Sequence, residues 1–352
     1  MDYRILFIST KFRHHARMSG YDQLINYFPS HHIVGRNELN DNLPWWSKYK
    51  WVYELTGLQY RSRIDLVHIL YGEEYLRFSP YLYRNIPVVA SFHQPPDRLL
   101  FEIQHGGTSG RIYRLTHSIT RGRFKHLDAA IVLEEAQKEV LLNFMPESKI
   151  HVIYHGVDTD YFRPNSDSKV VDSIPFVITT GEWQRDWILY LKVIAKAAEK
   201  GFPWKFKLVN RHLSDEILQQ LSVYHNFEYV ENASDQELLQ LYQFAKVMFL
   251  PLKSGAGNNA VMESLSTGCP IVTTNVFHKS YQIKGDFIKF YPADQVTGIL
   301  AGLRSFIDTD PKIQSDIAAA ARKKMLTYDW ASIAKETHLV YQGVSNNVGT
   351  SF

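Results

Sequence analysis

The residues best suited to chemistry lie in Ser254–Gly268, SGAGNNAVMESLSTG. Gly255 and Gly257 make a turn, Asn258 and Asn259 carry side chains that cap helices, and Glu263 stands about one turn into the helix that follows. Gly268 and Pro270 supply the stop. Such a turn aims the N–H groups of Gly255, Ala256, Gly257, Asn258 and Asn259, together with the positive end of a helix dipole, at one spot that suits phosphate. A carboxylate at Glu263 does not serve a phosphate. It suits hydrogen bonds from sugar hydroxyls, so the pair of features points to a nucleotide or nucleotide-sugar. The plainer reading of the same residues is a tight turn followed by a solvated glutamate.

Apolar runs flank this segment: Ala245–Leu252 before it and Pro270–Thr274 after it. Strand-like runs alternate with helical patterns along the whole chain, which predicts parallel sheets. In the first half the runs are Arg4–Thr10, Leu66–Leu70, Val88–Phe92, Ala129–Leu133 and Ile150–Tyr154; in the second they begin with Phe176–Thr180 and Lys205–Val209. Their hydrophobicity is continuous, as expected of strands covered on both faces. Ser19 and Gly20 lead into a first helix, Tyr21–Phe28. A helix from Trp187 places Ile188, Leu191, Ile194, Ala195 and Ala198 on one face. Ser234 and Glu237 make a capping box.

With 352 residues the chain exceeds one ordinary core and predicts two domains. The composition, 45% hydrophobic and 21% charged, is that of a globular protein. A net charge of +3 gives no ground for a nucleic-acid partner. The single cysteine, Cys269, excludes an internal disulfide and a cysteine metal cluster, and its apolar neighbours predict burial. The pairs His14–His15 and His31–His32 read as loop residues rather than ligands. No secretory leader and no run of eighteen apolar residues is evident, so the expected location is the cytoplasm.

Several stretches together resemble retaining nucleotide-sugar glycosyltransferases of the GT-B fold, family 4. HVIYHGVDTDYFRP is similar to the family's interdomain stretch, residues 231–252 to its S-D-E-E-L … L-Y … A-D-V segment, and AVMESLSTGCPIVTT to L-E-A-M-A-x-G-x-P-V. The likeness runs from residue 4 to about 342 and is strongest after 127. It implies an α/β GT-B architecture, with a Rossmann-like acceptor-side domain over 1–160 and a nucleotide-sugar domain over 161–330. A crossover helix over 331–345 would return to the first domain, and 346–352 would be a tail.

The resemblance also assigns roles. Glu263 matches the second of the family's two spaced glutamates and inherits ribose binding, whereas the first position is Gly255, so contacts to the donor sugar must come from backbone N–H groups or elsewhere. Arg185, in GEWQRDW, is the remaining counterpart of the family's Arg and Lys. His93 matches the histidine that faces the donor sugar, and Ser19 with Gly20 the first loop. The base is expected near Tyr229, Val230 and Glu231. The implied reaction is hexosyl transfer with retention to a glycan, glycolipid or other hydroxyl acceptor. The donor is a co-substrate and no cofactor is expected. No metal is expected either: Asp158–Thr159–Asp160 reads as turn capping, so Arg185 and the Gly255–Asn259 amides must supply the positive potential. Arg98, Arg111, Arg114, Arg121, Arg123 and Lys125 form a basic stretch that could rest on anionic lipid, with a solvated face as the alternative. Competing readings are a GT-B nucleotide-sugar epimerase, a non-catalytic sugar-nucleotide-binding partner and a nicotinamide enzyme. KFRHHARMSG after the first strand lacks the glycine pattern that the last requires.

Overall fold

The computed structural model describes residues 3–12, 18–40, 42–105, 115, 118, 120, 122–165, 174–276 and 282–349. They form two parallel six-stranded sheets flanked by helices. The first comprises β1 (Ile5–Lys11), β2 (His31–Asn37), β3 (Leu66–Ile69), β4 (Val88–Phe92), β5 (Ala129–Val132) and β6 (Ile150–Val152), in the order β2-β1-β3-β4-β5-β6. The second comprises β7 (Phe176–Thr180), β8 (Lys205–Asn210), β9 (Phe227–Glu231), β10 (Val247–Leu250), β11 (Ile271–Thr274) and β12 (Ile288–Tyr291), in the order β12-β11-β10-β7-β8-β9.

The inner strands are the continuous apolar runs, and β3, β4, β5, β7, β10 and β11 are buried at every residue. The strands that sequence reasoning passed over, β2, β9 and β12, all lie at sheet edges. One side of an edge strand has no neighbour, so its residues are only half buried and their pattern is mixed.

In each sheet the strand order reverses beside the first strand, between β1 and β3 and between β7 and β10. Such reversals open a crevice outside the carboxyl ends of the strands, where loops meet a ligand. Ser19–Gly20 follow β1. The Gly181–Asp186 loop follows β7, and the Gly255 turn follows β10.

The helix Trp187–Glu199 buries Leu189, Tyr190, Val193, Ile194 and Ala197 and leaves Ile188 64% exposed. The expected face is therefore rotated by about one residue, and Tyr190, packed on Phe249 of β10, sets the rotation. The first helix, Tyr21–Tyr27, is a 3₁₀ helix. The last helix, Trp330–Gly349, returns to the first sheet as expected: Tyr341 packs on Phe28 and its hydroxyl is 2.6 Å from His68 Nδ1 on β3. It starts beside the interdomain stretch, where Trp330 N–H donates to Val157 O and Val157 N–H to Tyr328 O. The two crossings between the sheets thus run side by side.

Candidate active site

The Gly255 turn is held from both ends. Lys253 N–H donates to Gln184 O and Asp186 N–H to Pro251 O, so the loops after β7 and β10 are bound together. Asn258 caps the helix Asn259–Ser266, its Oδ1 accepting from Ala260 N–H at 3.0 Å. Gly257 has φ +48°, and a Cβ there would stand 2.5 Å from Leu133 Cδ1 of the opposite lobe. Only glycine combines that backbone with so close an approach. Among the described residues no hydrogen bond occupies the N–H groups of Gly255, Ala256, Gly257, Asn258 or Asn259. These amides lie at a helix N-terminus on the cleft.

Glu263 is buried at the junction of the lobes. Its Oε1 accepts from the Ser19 hydroxyl, across the cleft, and its Oε2 accepts from Tyr242 Oη at 3.0 Å. Burial raises its pKa, and the two hydroxyl bonds oppose that rise. Tyr242 in turn lies 3.0 Å from Thr180 Oγ1 at the end of β7. The space bounded by Ser19, Gly20, Glu263 and Trp330 amounts to about 10 Å³.

Arg185 is buried beside this group. Its Nε and Nη2 both donate to Thr180 O, at 2.9 and 2.7 Å, and Nη1 donates to Trp183 O at 3.0 Å. Gly181, with φ +79°, makes room: a Cβ there would stand 2.7 Å from Arg185 Nη2. The guanidinium is turned inward, its donors engaged by backbone carbonyls. It braces its own loop, and its charge, although burial pushes the pKa down to about 10, persists at neutral pH beside the cleft.

His93 follows β4, its ring against Tyr21 at 4.4 Å and Tyr71 at 4.8 Å. Among the described residues neither ring nitrogen has a hydrogen-bond partner, although Glu73 Oε1 stands 3.6 Å from Nδ1, and burial pushes the pKa down to about 3, so the ring is neutral. Its backbone N–H donates to Glu73 Oε1 at 3.2 Å, and burial pushes Glu73 up to about 7. Tyr21 also touches His155 at 5.6 Å and follows Gly20 directly, so His93, Ser19, Gly20 and Glu263 fall in one neighbourhood. Tyr229, Val230 and Glu231 stand apart on the edge strand β9, three strand positions or roughly 14 Å from β10.

Four residues were not anticipated. Tyr242 stands among the apolar residues Leu238, Leu241 and Ala245 behind the Ser234 capping box, which hides its hydroxyl in the sequence. Glu73 and Glu134 were not singled out, although both follow strands of the first sheet at their carboxyl ends, where ligands of such sheets bind. Gln137, fully buried, ties those ends together: its Oε1 accepts from Leu133 N–H and Glu134 N–H, and its Nε2 donates to Phe92 O and Gln94 O.

The described members of the basic stretch do not form one face. Arg98 lies over the Trp183 ring across the cleft at 5.8 Å, and Arg123 is buried, while Lys125 is exposed. Arg111, Arg114 and Arg121, like His14 and His15, lie outside the described residues. Among the described residues no helix is long and apolar enough to cross a membrane. Asp158 is occupied as a turn cap, its Oδ1 accepting from Asp160 N–H and Tyr161 N–H. Cys269 is buried.

Comparison with known proteins bears on this arrangement. Residues 10–161 match the model of Glycosyltransferase Family 4. That match falls on the N-terminal half, whereas the likeness of motifs is strongest beyond residue 127. An uncharacterized glycosyltransferase of Methanocaldococcus jannaschii is 25% identical over 235 residues, which is 60% of this chain and 59% of that protein. Among solved structures, a glycosyltransferase from Rickettsia africae superposes with a TM-score of 0.71 at 14% identity, covering 98% of this chain and 99% of its own. HepE of Anabaena, solved with UDP and glucose, gives 0.71 at 12% identity over 97% and 100%. Sucrose-phosphate synthase from Thermosynechococcus elongatus gives 0.72 at 14% over 97% and 99%. At such identities the likeness is one of fold. Residues 10–161 are thus similar to Glycosyltransferase Family 4, and the whole chain has the two-sheet GT-B architecture of solved glycosyltransferases.

Proposed function

We propose that the chain transfers a hexosyl group from a nucleoside-diphosphate donor to a hydroxyl acceptor, with retention of anomeric configuration and without a divalent metal. The observation that carries this reading is the row of five N–H groups, Gly255 to Asn259, unoccupied among the described residues, at a helix N-terminus facing the opposite lobe, with Glu263 one turn further in. The amides, the helix dipole and the buried charge of Arg185 hold the diphosphate and stabilise the charge that grows on it as the anomeric C–O bond breaks. Glu263 accepts hydrogen bonds from the ribose. The base rests toward Tyr229–Glu231, and the neutral His93 faces the sugar. The acceptor oxygen bonds to the anomeric carbon on the face the phosphate leaves, and its proton passes to the departing phosphate oxygen. HepE, a fold neighbour, was solved with UDP-glucose, which supports a donor of this class.

The test is to incubate the protein with uridine, guanosine and adenosine diphosphate sugars. The measurements are protection against heat, release of nucleoside diphosphate with and without EDTA, and the coupling constant of the product's anomeric proton. Protection and EDTA-resistant turnover with a retained anomer are expected. No protection by any donor overturns the reading; an inverted anomer overturns retention, and loss of turnover in EDTA that magnesium restores overturns metal independence.

A further inference from the structure

The cleft holds a second space, of about 480 Å³, between the helix Pro96–His105, the helix Glu135–Leu141 and the Gly255 turn. Gly255 and Ser254 form its wall on one lobe, and Asp97, Glu134 and Glu139 stand on the other, with Leu100 and Val140 supplying apolar surface. No cation is among the described residues that line it.

Glu134 differs from its acidic neighbours. It is 2% exposed, and its Oε2 has no hydrogen-bond partner among the described residues. Its side chain faces the N–H of Gln137 in a capping box, which fixes the carboxyl at the start of the helix. Gln137 fixes the backbone by accepting from Glu134 N–H at 3.1 Å. Burial pushes the carboxyl up to about 7, with no cation among the described residues to offset it. The preceding residue, Leu133, is the one that packs on Gly257, so the two lobes touch next to this carboxyl. A buried carboxyl oxygen without a partner is costly to leave so, on the order of 1–3 kcal/mol. A ligand hydroxyl would satisfy it, whereas a carboxylate on the sugar would lie among three acidic groups.

We infer that Glu134 supplies, from the N-terminal lobe, the carboxyl that binds hydroxyls of the transferred sugar in a pocket suited to a neutral, hydroxyl-rich group. The inference rests on the proposed transfer and deepens it: at Gly255 the facing loop offers no side chain, and the carboxyl comes from across the cleft instead. Donors whose sugar bears a carboxylate are excluded by the same charges.

The experiment compares the unmodified chain with Glu134→Gln and Glu134→Ala. Glutamine keeps an acceptor for the Gln137 N–H, and thermal melting checks that both variants fold. Binding of the nucleoside diphosphate alone is measured by calorimetry, and kcat/KM is measured for the hexose donor that the unmodified chain turns over. The expected result is nucleoside-diphosphate affinity within twofold in both variants and at least a tenfold fall in kcat/KM, with Gly255→Glu restoring part of the loss in the Glu134→Ala chain. A kcat/KM within twofold of the unmodified chain in Glu134→Gln overturns the inference and leaves the transfer reading standing. An unmodified chain that binds no nucleotide-sugar overturns both.

Discussion

Replacement of Ser19 by alanine should make the protein bind its nucleotide more tightly. In the structure the Ser19 hydroxyl donates to Glu263 Oε1, the carboxyl assigned to the ribose, and this bond joins the lobes. The space beside it is about 10 Å³, close to the least that admits one water, whereas a ribose occupies several water volumes. Nucleotide binding therefore requires the lobes to part here, and parting breaks the Ser19–Glu263 bond. A hydrogen bond to an ionised carboxyl contributes roughly 1.5–3 kcal/mol. Removing it favours the open arrangement by that amount, and the apparent Kd falls in proportion to the gain in the binding-competent population, by about 10- to 100-fold. The same change should lower the melting temperature of the unliganded protein, since the closed state loses a bond. Calorimetric titration with the nucleoside diphosphate, paired with thermal melting, measures both effects. A Ser19→Ala protein that binds with unchanged or weaker affinity would refute the reasoning, because Glu263 would then not need to be released.

Three further outcomes follow from the same geometry. Gly257→Ala forces a side chain into a left-handed backbone and against Leu133, so unfolding stability should fall by about 1–2 kcal/mol; an unchanged melting temperature would count against the close approach of the lobes. Arg185→Ala removes both a loop brace and a buried charge, and transfer at saturating donor should slow by about 10- to 100-fold; unchanged turnover would remove Arg185 from the mechanism. His68, bonded by Tyr341 and Ser91, is pushed by burial down to about 3 from an ordinary 6.5. Its folded pKa is the lower one, so the unfolded chain takes up the proton first, and the histidine's contribution is present above pH 6.5 and lost as pH falls towards 3. The stability difference between the unmodified chain and His68→Gln should accordingly shrink by about 1.4 kcal/mol per pH unit from 6.5 to 5, and denaturant melts showing a constant difference would contradict a neutral His68.

The inner strands and the Gly255 turn are legible in the sequence because their signals are local. A strand covered on both faces must be apolar at every position, and a turn with positive φ must carry glycine. Edge strands such as β2 and β9 escape that logic, since half their surroundings are solvent or loop. The buried face of the helix Trp187–Glu199 escaped it too: Ile188 is as apolar as Val193, and only the position of Phe249 decides which of them is covered. Gly255 and Glu263 were visible as chemistry, but Glu134 looked like one of two ordinary glutamates at a helix start.

From its sequence alone this chain determined two parallel sheets and an amide turn followed by a carboxylate, because each is written in residues near one another along the chain; the return of the last helix to the first sheet was implied by the resemblance. Tertiary structure alone decided what the polar groups do: that Glu263 bonds Ser19, that Arg185 turns inward to Thr180, and that Glu134 faces Gly255. Those pairings join residues 244, 5 and about 120 positions apart. Even the shortest of them depends on burial, which no pattern along the chain encodes, and it is burial that makes a hydrogen bond to one particular partner obligatory.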